Sequence, residues 1–469
     1  MQNKEICEEK SVFEKNLEVF NRYFPGCLSV ENDNKLTLDV ERLKALLGDF
    51  SEIKEEGYGL DFVGKKIALN QAFKKNNKIL KPLNESTSKH ILIKGDNLDA
   101  LKILRQSYSE KIKMIYIDPP YNTKNDNFIY SDDFSQSNEE ILKTLDYSKE
   151  KLDYIKNLFG SKCHSGWLSF MYPRLLLAKD LLKQDGVIFI SIDDNEAAQL
   201  KLLCDEIFGE GNFVANLHVE LSATQGMKVA SAKKGNIVKN AEYILIYSKN
   251  MENFSFIRSL YVAKEWDEHY SIHIDPKTKK RETLLNFLKN EYENITKDKI
   301  IALYNDDKDF RDFIHKNANN IYRDAMIEVN FNFTKEQESS LNNGEIVEYN
   351  QYLIFKNSNN IIRQFLKLSD AIGETDDFDA KIGLRKIRGD WWGGFYKDMM
   401  NINKEGGVIF KNGKKPIRLI KDLIQIATNE GDIILDFFAG SGTTAHAVLE
   451  SNKSDYQKLS EGGGGYLMA

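Results

Sequence analysis

The chain has 469 residues, 41% of them hydrophobic, and a formal net charge of −6. A length of this order implies two or three domains with ample core. The negative balance excludes a protein that grips nucleic acid by overall charge, but it leaves room for local basic surfaces. No run of about 18 apolar residues occurs, so no transmembrane helix is expected. The opening Met1-Gln2-Asn3-Lys4-Glu5 lacks an apolar signal-peptide core. Cys7, Cys27, Cys163 and Cys204 are scattered without metal-pair spacing or a disulfide framework, which points to reduced thiols in the cytoplasm.

Residues up to about 55 carry helix-like apolar spacing in Val12, Leu17, Val19 and Phe20, then in Leu36, Leu38, Leu43, Leu46 and Leu47. They predict a helical cap on the core or a support for a subunit interface. Asn70 to Lys89 is polar and reads as a linker or surface loop. From His90 to about Phe213 the pattern alternates. His90–Lys94 predicts a strand, Leu98–Ser107 a helix and Met114–Ile117 a strand. Leu168–Lys183 predicts an apolar helix, Val187–Ile192 a buried strand and Asn195–Phe208 a further helix. Such alternation implies a parallel α/β sheet with ligands outside the carboxyl ends of its strands. Asp96, Asp118, Asp193 and Asp436 all follow apolar runs. For Asp193 and Asp194 a local capping role is preferred.

Asp118-Pro119-Pro120-Tyr121 leaves the Met114–Ile117 strand. The prolines stiffen the loop and free its carbonyls to accept hydrogen bonds. The Asp carboxylate is an acceptor, and the Tyr offers a flat face. Together they suit a planar base bearing an amino group. Taken alone, the tetrapeptide fits a plain strand-ending turn equally well. Residues 215 to 400 are rich in charge, Asn and aromatics. Two basic clusters stand out: Lys228 with Lys233, Lys234 and Lys239, and Lys277-Thr278-Lys279-Lys280-Arg281. They serve either as solvated loops or as phosphate contacts. Arg385 to Gly394 holds Trp391 and Trp392, which suit either DNA contact or core.

Near the end, Gly431–Asp436 is a second apolar run ending in an acid. Phe437-Phe438-Ala439-Gly440-Ser441-Gly442-Thr443-Thr444 follows, and then a helical stretch from Ala445. Strand, glycine turn and helix make the geometry of a nucleotide-type cofactor loop, although the spacing is not that of the dinucleotide fingerprint. By itself the segment also fits a tight strand-to-helix turn.

The pair of motifs resembles the DNA amino-methyltransferases that use S-adenosyl-L-methionine. Their order, catalytic motif first, resembles the beta class of adenine-N6 enzymes. Lys94–Leu101, Gly166–Leu175 and Asp185–Asp194 look like further segments of that class. Tyr58–Lys65 and Asn122-Thr123 are most similar to the modification (Mod) subunits of type III restriction-modification systems. The resemblance implies an α/β fold: a circularly permuted Rossmann-like methyltransferase sheet with an inserted target-recognition domain and a helical N-terminal segment. It divides the chain into 1–89, a catalytic half at 90–214, a target-recognition domain at 215–400 and a cofactor-binding half at 401–469. It places Asp118 and the carbonyl of Pro119 on the two N6 hydrogens of adenine, with Pro120 stiffening the loop and Tyr121 stacking on the base. It places Asp96, Asp436, Phe438, Gly440 and Gly442 around the methyl donor. The stretch from Phe410 to Pro416 departs from the family's more compact Phe/Pro-Lys-Pro pattern, so contacts there are not assigned.

Double-stranded DNA is the implied partner, with a homodimer and a separate ATP-dependent restriction subunit. No P-loop of the form G-x-x-x-x-G-K-S/T occurs in the chain, so cleavage is not expected from it. No metal is expected. Methylation of RNA, protein or cytosine N4, and a non-catalytic DNA-recognition role, are the alternatives. After the cofactor helix no apolar run of strand length remains. Gly462–Gly465 suggests a guanine tract in the gene, and hence a phase-variable subunit in a truncated, weakly active state.

Overall fold

A computed structural model describes residues 17, 20, 27–30, 36–38, 60–83, 88–123, 163–327, 331–350, 352–407, 410, 413–459 and 467–468. Val12, Val19, Leu43, Leu46, Leu47, Tyr58, Gly59 and the four-glycine run lie outside the described residues. The chain forms two compact units. The first comprises residues 1–218, 241–255 and 403–469; the second comprises 219–240 and 256–402.

In the first unit the elements follow the alternation in the sequence. They are α1 (Lys65–Phe73), α2 (Asn97–Tyr108), β1 (Ile112–Ile117), α3 (His164–Leu181), β2 (Leu182–Ile192), α4 (Ala197–Phe208), β3 (Phe213–Glu220) and β4 (Ala241–Ser248). After the second unit come α5 (Ile417–Ala427), β5 (Ile433–Leu435), α6 (Thr443–Leu459) and β6 (Leu467–Met468). Within the first unit the strand order is β3-β4-β2-β1-β5-β6. β1, β2, β5 and β6 are parallel, and β4 lies antiparallel to β2. Every residue of β1 is buried, as expected of a central parallel strand covered on both faces. Even Lys113 is accommodated, because its Nζ donates to the Asp185 carbonyl at 2.7 Å and to its carboxylate at 2.8 Å. α3 is buried over most of its circumference and packs Trp167, Met171, Leu175 and Ala178 into the core beneath the sheet.

Three expectations are corrected. Leu36 and Leu38 belong not to a helix but to a short strand paired antiparallel with Leu28–Val30. Leu36-Thr37-Leu38 alternates with period two, and a period of two is the strand signal. His90–Lys94 forms no strand, and Leu92 is 89% exposed. Among the described residues the sheet stops at β6, so this segment has no neighbour with which to build a ladder. The third concerns the chain's last residues, where Leu467 and Met468 pair with Ile433 and Ile434 as a two-residue strand.

The second unit is antiparallel. One sheet orders Val347–Tyr349, Tyr352–Lys356, Ile362–Lys367, Ile321–Ala325, Tyr270–Ile274 and Arg281–Thr283. A smaller sheet joins Ile372–Glu374, Ile382–Ile387 and Tyr261–Ala263. Its main core packs Trp266, Leu288, Tyr304, Phe310 and Ile314. The segment 241–255, read from sequence as part of this region, instead supplies β4 to the first unit's sheet.

Candidate active site

β1 and β5 are parallel neighbours, with Leu435 opposite Ile115, so their carboxyl ends emerge on one edge of the sheet. Asp118 leaves β1 there and Asp436 leaves β5, close enough that the Asp118 charge is felt at Asp436. This edge is where ligands of open α/β sheets bind.

Asp118 is 21% exposed and lies in a polar cluster. The Tyr121 hydroxyl stands 2.9 Å from Asp118 Oδ1 and 3.1 Å from Glu242 Oε2. It has one proton to give, and the shorter distance favours Asp118. Lys415 Nζ donates to the Tyr121 hydroxyl at 2.7 Å and to Glu242 Oε2 at 2.8 Å, and it lies 3.4 Å from Asp118 Oδ1. Burial pushes the Asp118 carboxyl above its usual range, while Lys415 and Tyr121 pull it back. Burial would depress the Lys415 ammonium, but Asp118 and Glu242 outweigh it and hold the group above the ordinary lysine value. Tyr121 is pushed well up by burial and by both carboxylates, so it stays a neutral hydroxyl.

The rest of the loop is bracketed from two helices. Trp167 on α3 donates its indole N–H to the Pro120 carbonyl at 2.7 Å. Asn122 adopts a left-handed φ of 57°. Its side chain donates at 2.6 Å to Glu196, which also meets His164 Nδ1 at 2.8 Å. Glu196 is fully buried just before α4, and burial raises its carboxyl. Asp193 accepts from its neighbour Asn195, through both backbone and side chain, as a local turn cap.

The second loop is built on Asp436. Its carboxylate accepts from the Phe438 amide at 2.8 Å and from Thr444 Oγ1 at 2.6 Å, tying the start of the loop to the first turn of α6. Burial pushes its carboxyl up to about 6. Gly440 and Gly442 sit at φ 51° and 77°, where a Cβ would be strained. Apart from Gly442 itself and its two chain neighbours, no heavy atom of the described residues lies within 4 Å of a Cβ built there, and Ala439 and Gly440 are exposed. The loop is thus an open cradle at a helix N-terminus.

Asp96 caps α2 by accepting from the Asp99 amide at 3.1 Å, and its side chain remains 49% exposed. The next residue, Asn97, donates to the Phe437 carbonyl at 2.8 Å and accepts from Arg174 Nε at 2.7 Å, bringing the Asp96 turn beside the glycine loop. Phe438 packs against Phe170 at 5.9 Å.

The sequence profile of the DNA methylase family, which groups N6 and N4 methyltransferases, matches residues 112–456, spanning both loops. The chain belongs to this family. It is 34% identical to the type III restriction-modification enzyme EcoPI Mod subunit of Escherichia phage P1, over 96% of this chain and 69% of that one. Against the EcoP15I Mod subunit of Escherichia coli the identity is 33%, over 96% and 71%. Against the type II methyltransferase M.KpnI of Klebsiella pneumoniae it is 30%, over 81% and 80%. The methyl donor of the methylase is S-adenosyl-L-methionine, and the residues present fit it. Asp436 and Asp96 offer acceptors, Phe438 an apolar wall, and Gly440 and Gly442 a cradle without side chains. Sequence reasoning singled out all of these for the donor. It missed Glu242, Trp167, Asn97, Arg174 and Glu196, and left Lys415 without a role. Asn97, Trp167 and Arg174 lie in the segments Lys94–Leu101 and Gly166–Leu175 that carry the resemblance, and Lys415-Pro416 ends the stretch that departs from the family's lysine-proline pattern; Glu242 and Glu196 carry no such signal.

Proposed function

We propose that the methylase transfers a methyl group to N6 of adenine in double-stranded DNA, as the modification subunit of a type III restriction-modification system. The observation that carries this reading is the Asp118 carboxylate. Tyr121 and Lys415 converge on Oδ1, and among the described residues nothing bonds Oδ2. Oδ2 is therefore left with acceptor capacity for a bound amine.

Adenine N6 is a poor nucleophile because its lone pair is delocalised into the ring. Asp118 Oδ2 accepts one N6 hydrogen and the Pro119 carbonyl the other. Both stabilise positive charge as it develops on the nitrogen, the form of electrostatic help that preorganised groups give best. The donor, when bound, supplies an electrophilic methyl on a sulfonium. Asp96, Asp436, Phe438, Gly440 and Gly442 hold it, and Tyr121 stacks on the base. The base must leave the duplex, at a cost of a few kcal/mol of unstacking. Asp at the first position of the tetrapeptide supports adenine over cytosine N4, where the family typically carries Ser.

The second unit acts as the target-recognition domain. Its exposed Lys277–Arg281 turn and Lys233-Lys234 supply phosphate contacts. The subunit works in the cytoplasm as a homodimer beside an ATP-dependent restriction subunit. The 34% and 33% identities to Mod subunits support its place as the modification subunit. Labelled S-adenosylmethionine with adenine-bearing duplex DNA is the test, followed by nucleoside analysis. N6-methyladenine is the expected product. Label in cytosine, or in RNA or protein alone, would refute the reading.

A further inference from the structure

Asp118 faces a conflict that its own loop does not resolve. It must remain an anion to stabilise positive charge developing on an amine nitrogen, yet it sits in a largely buried cluster with other acids. Glu242 approaches from β4, Asp436 emerges from the adjacent β5, and the Tyr116 hydroxyl lies behind it on β1, bonded to Ser191 at 2.8 Å. Tyr121 gives it one hydrogen bond. The cation that acts on it most strongly is Lys415, which enters from the segment before α5 and is only 6% exposed. Glu242 Oε2 holds that ammonium at 2.8 Å. The ammonium also lies 4.9 Å from the Tyr121 ring centroid. Three segments far apart in sequence thus meet in one cluster, with Tyr121 and Lys415 reaching Asp118 Oδ1 and Glu242 holding both of them.

We propose that Lys415, held in place by Glu242, is the positioning residue of the amine-acceptor site, fixing Asp118 Oδ1 so that Oδ2 faces the target amine as an anion. The inference rests on the proposed adenine methylation and deepens it. Neither Lys415 nor Glu242 touches the reacting nitrogen. Lys415 supplies the charge that keeps Asp118 ionised and the bond that orients Tyr121. Glu242 fixes where that charge sits, at the cost of a second acid nearby.

Single-turnover methylation against pH separates this from simple structural support. Lys415→Met leaves Asp118 facing Glu242 without a counter-charge. Its acid limb should move up by roughly one pH unit, making transfer about tenfold slower on that side. Lys415→Arg keeps the charge and should restore the limb, although not the full rate. The double variant Lys415→Met/Glu242→Gln removes one charge of each sign, and its limb should return toward that of the parent. A Lys415→Met variant that loses the same factor at every pH, with no recovery in the double variant, overturns the proposal.

Difference-infrared titration of the Asp118 carboxyl, assigned with Asp118→Asn, reads the same ionisation without turnover. If the parent protein makes no N6-methyladenine, the proposed function falls. The infrared shift between parent and Lys415→Met still decides whether Lys415 sets the charge on Asp118. Circular dichroism and donor binding check that each variant folds.

Discussion

Burial raises the carboxyls of both Asp118 and Asp436, so both loops carry acids whose charged form the fold disfavours. Groups perturbed in this way cluster at functional sites. Asp118→Asn preserves shape but places an amide where an acceptor anion stood. Loss of one preorganised group typically costs 100- to 1000-fold, so single-turnover transfer should fall by about that much with donor affinity retained. Near-normal transfer would remove Asp118 from the mechanism. For Asp436 the pH dependence of stability has a definite sign. Its carboxyl titrates near 6 in the fold against 3.8 in an unfolded reference. Between those values the folded chain holds a proton that the unfolded chain has lost. Stability from this group is therefore present at the acid end and is lost as pH rises toward 6. Asp436→Asn should be more resistant to urea than the parent above pH 6, with the gain fading toward pH 4. The same variant should bind S-adenosylmethionine more weakly by calorimetry. A variant less stable than the parent at pH 7 would mean that the bonds to Phe438 and Thr444 outweigh the burial of charge.

Between elements, the site depends on brackets that join loops to helices. Trp167 reaches from α3 to the Pro120 carbonyl, and Asn97 reaches from α2 to the Phe437 carbonyl. Each bond is worth about 1 kcal/mol. Trp167→Phe keeps the ring in the core and removes one donor, so transfer should slow roughly fivefold at unchanged donor affinity. Asn97→Ala should do the reverse, weakening donor binding more than the chemical step; equilibrium binding alongside single-turnover rates separates the two. These brackets were not legible in the sequence, whereas the loops they hold were. Asp118-Pro119-Pro120-Tyr121 and Asp436–Thr444 are contiguous, and contiguous residues report their own geometry through proline, glycine and strand-length apolar runs. Glu242 is one acid on a strand, and nothing near it in sequence says that Lys415 stands 2.8 Å away. His90–Lys94 fails for a related reason: its residues favour a strand, but a ladder needs a neighbour, which local sequence cannot supply. Trp391 and Trp392, adjacent and identical, part company in the fold. Trp392 is buried against Phe395, while Trp391 is 54% exposed.

Across the whole molecule, the chain crosses between its two units more often than composition alone indicates. It leaves the first unit after His218, returns for 241–255 and leaves again until Asn403. The return contributes β4, paired with β2 from Val187 to Ile192, and with it Glu242. The two units are therefore interleaved in sequence although each is compact. A graft of the continuous block 219–402 from a relative with another recognition site would import a foreign β4 and a foreign partner for Lys415. A graft of 219–240 and 256–402 alone keeps the native strand and the native Glu242. If the second unit reads the DNA through base-edge contacts, both grafts should move methylation to the donor protein's adenine context. Only the interrupted graft should keep a parental single-turnover rate and pH profile. Sequencing of methylated adenines reads the first outcome, and rapid-quench kinetics the second. Retention of the parental context in both grafts would place specificity in the first unit. Equal rates in both would mean that any strand at 241–255 serves the catalytic cluster as well as the native one.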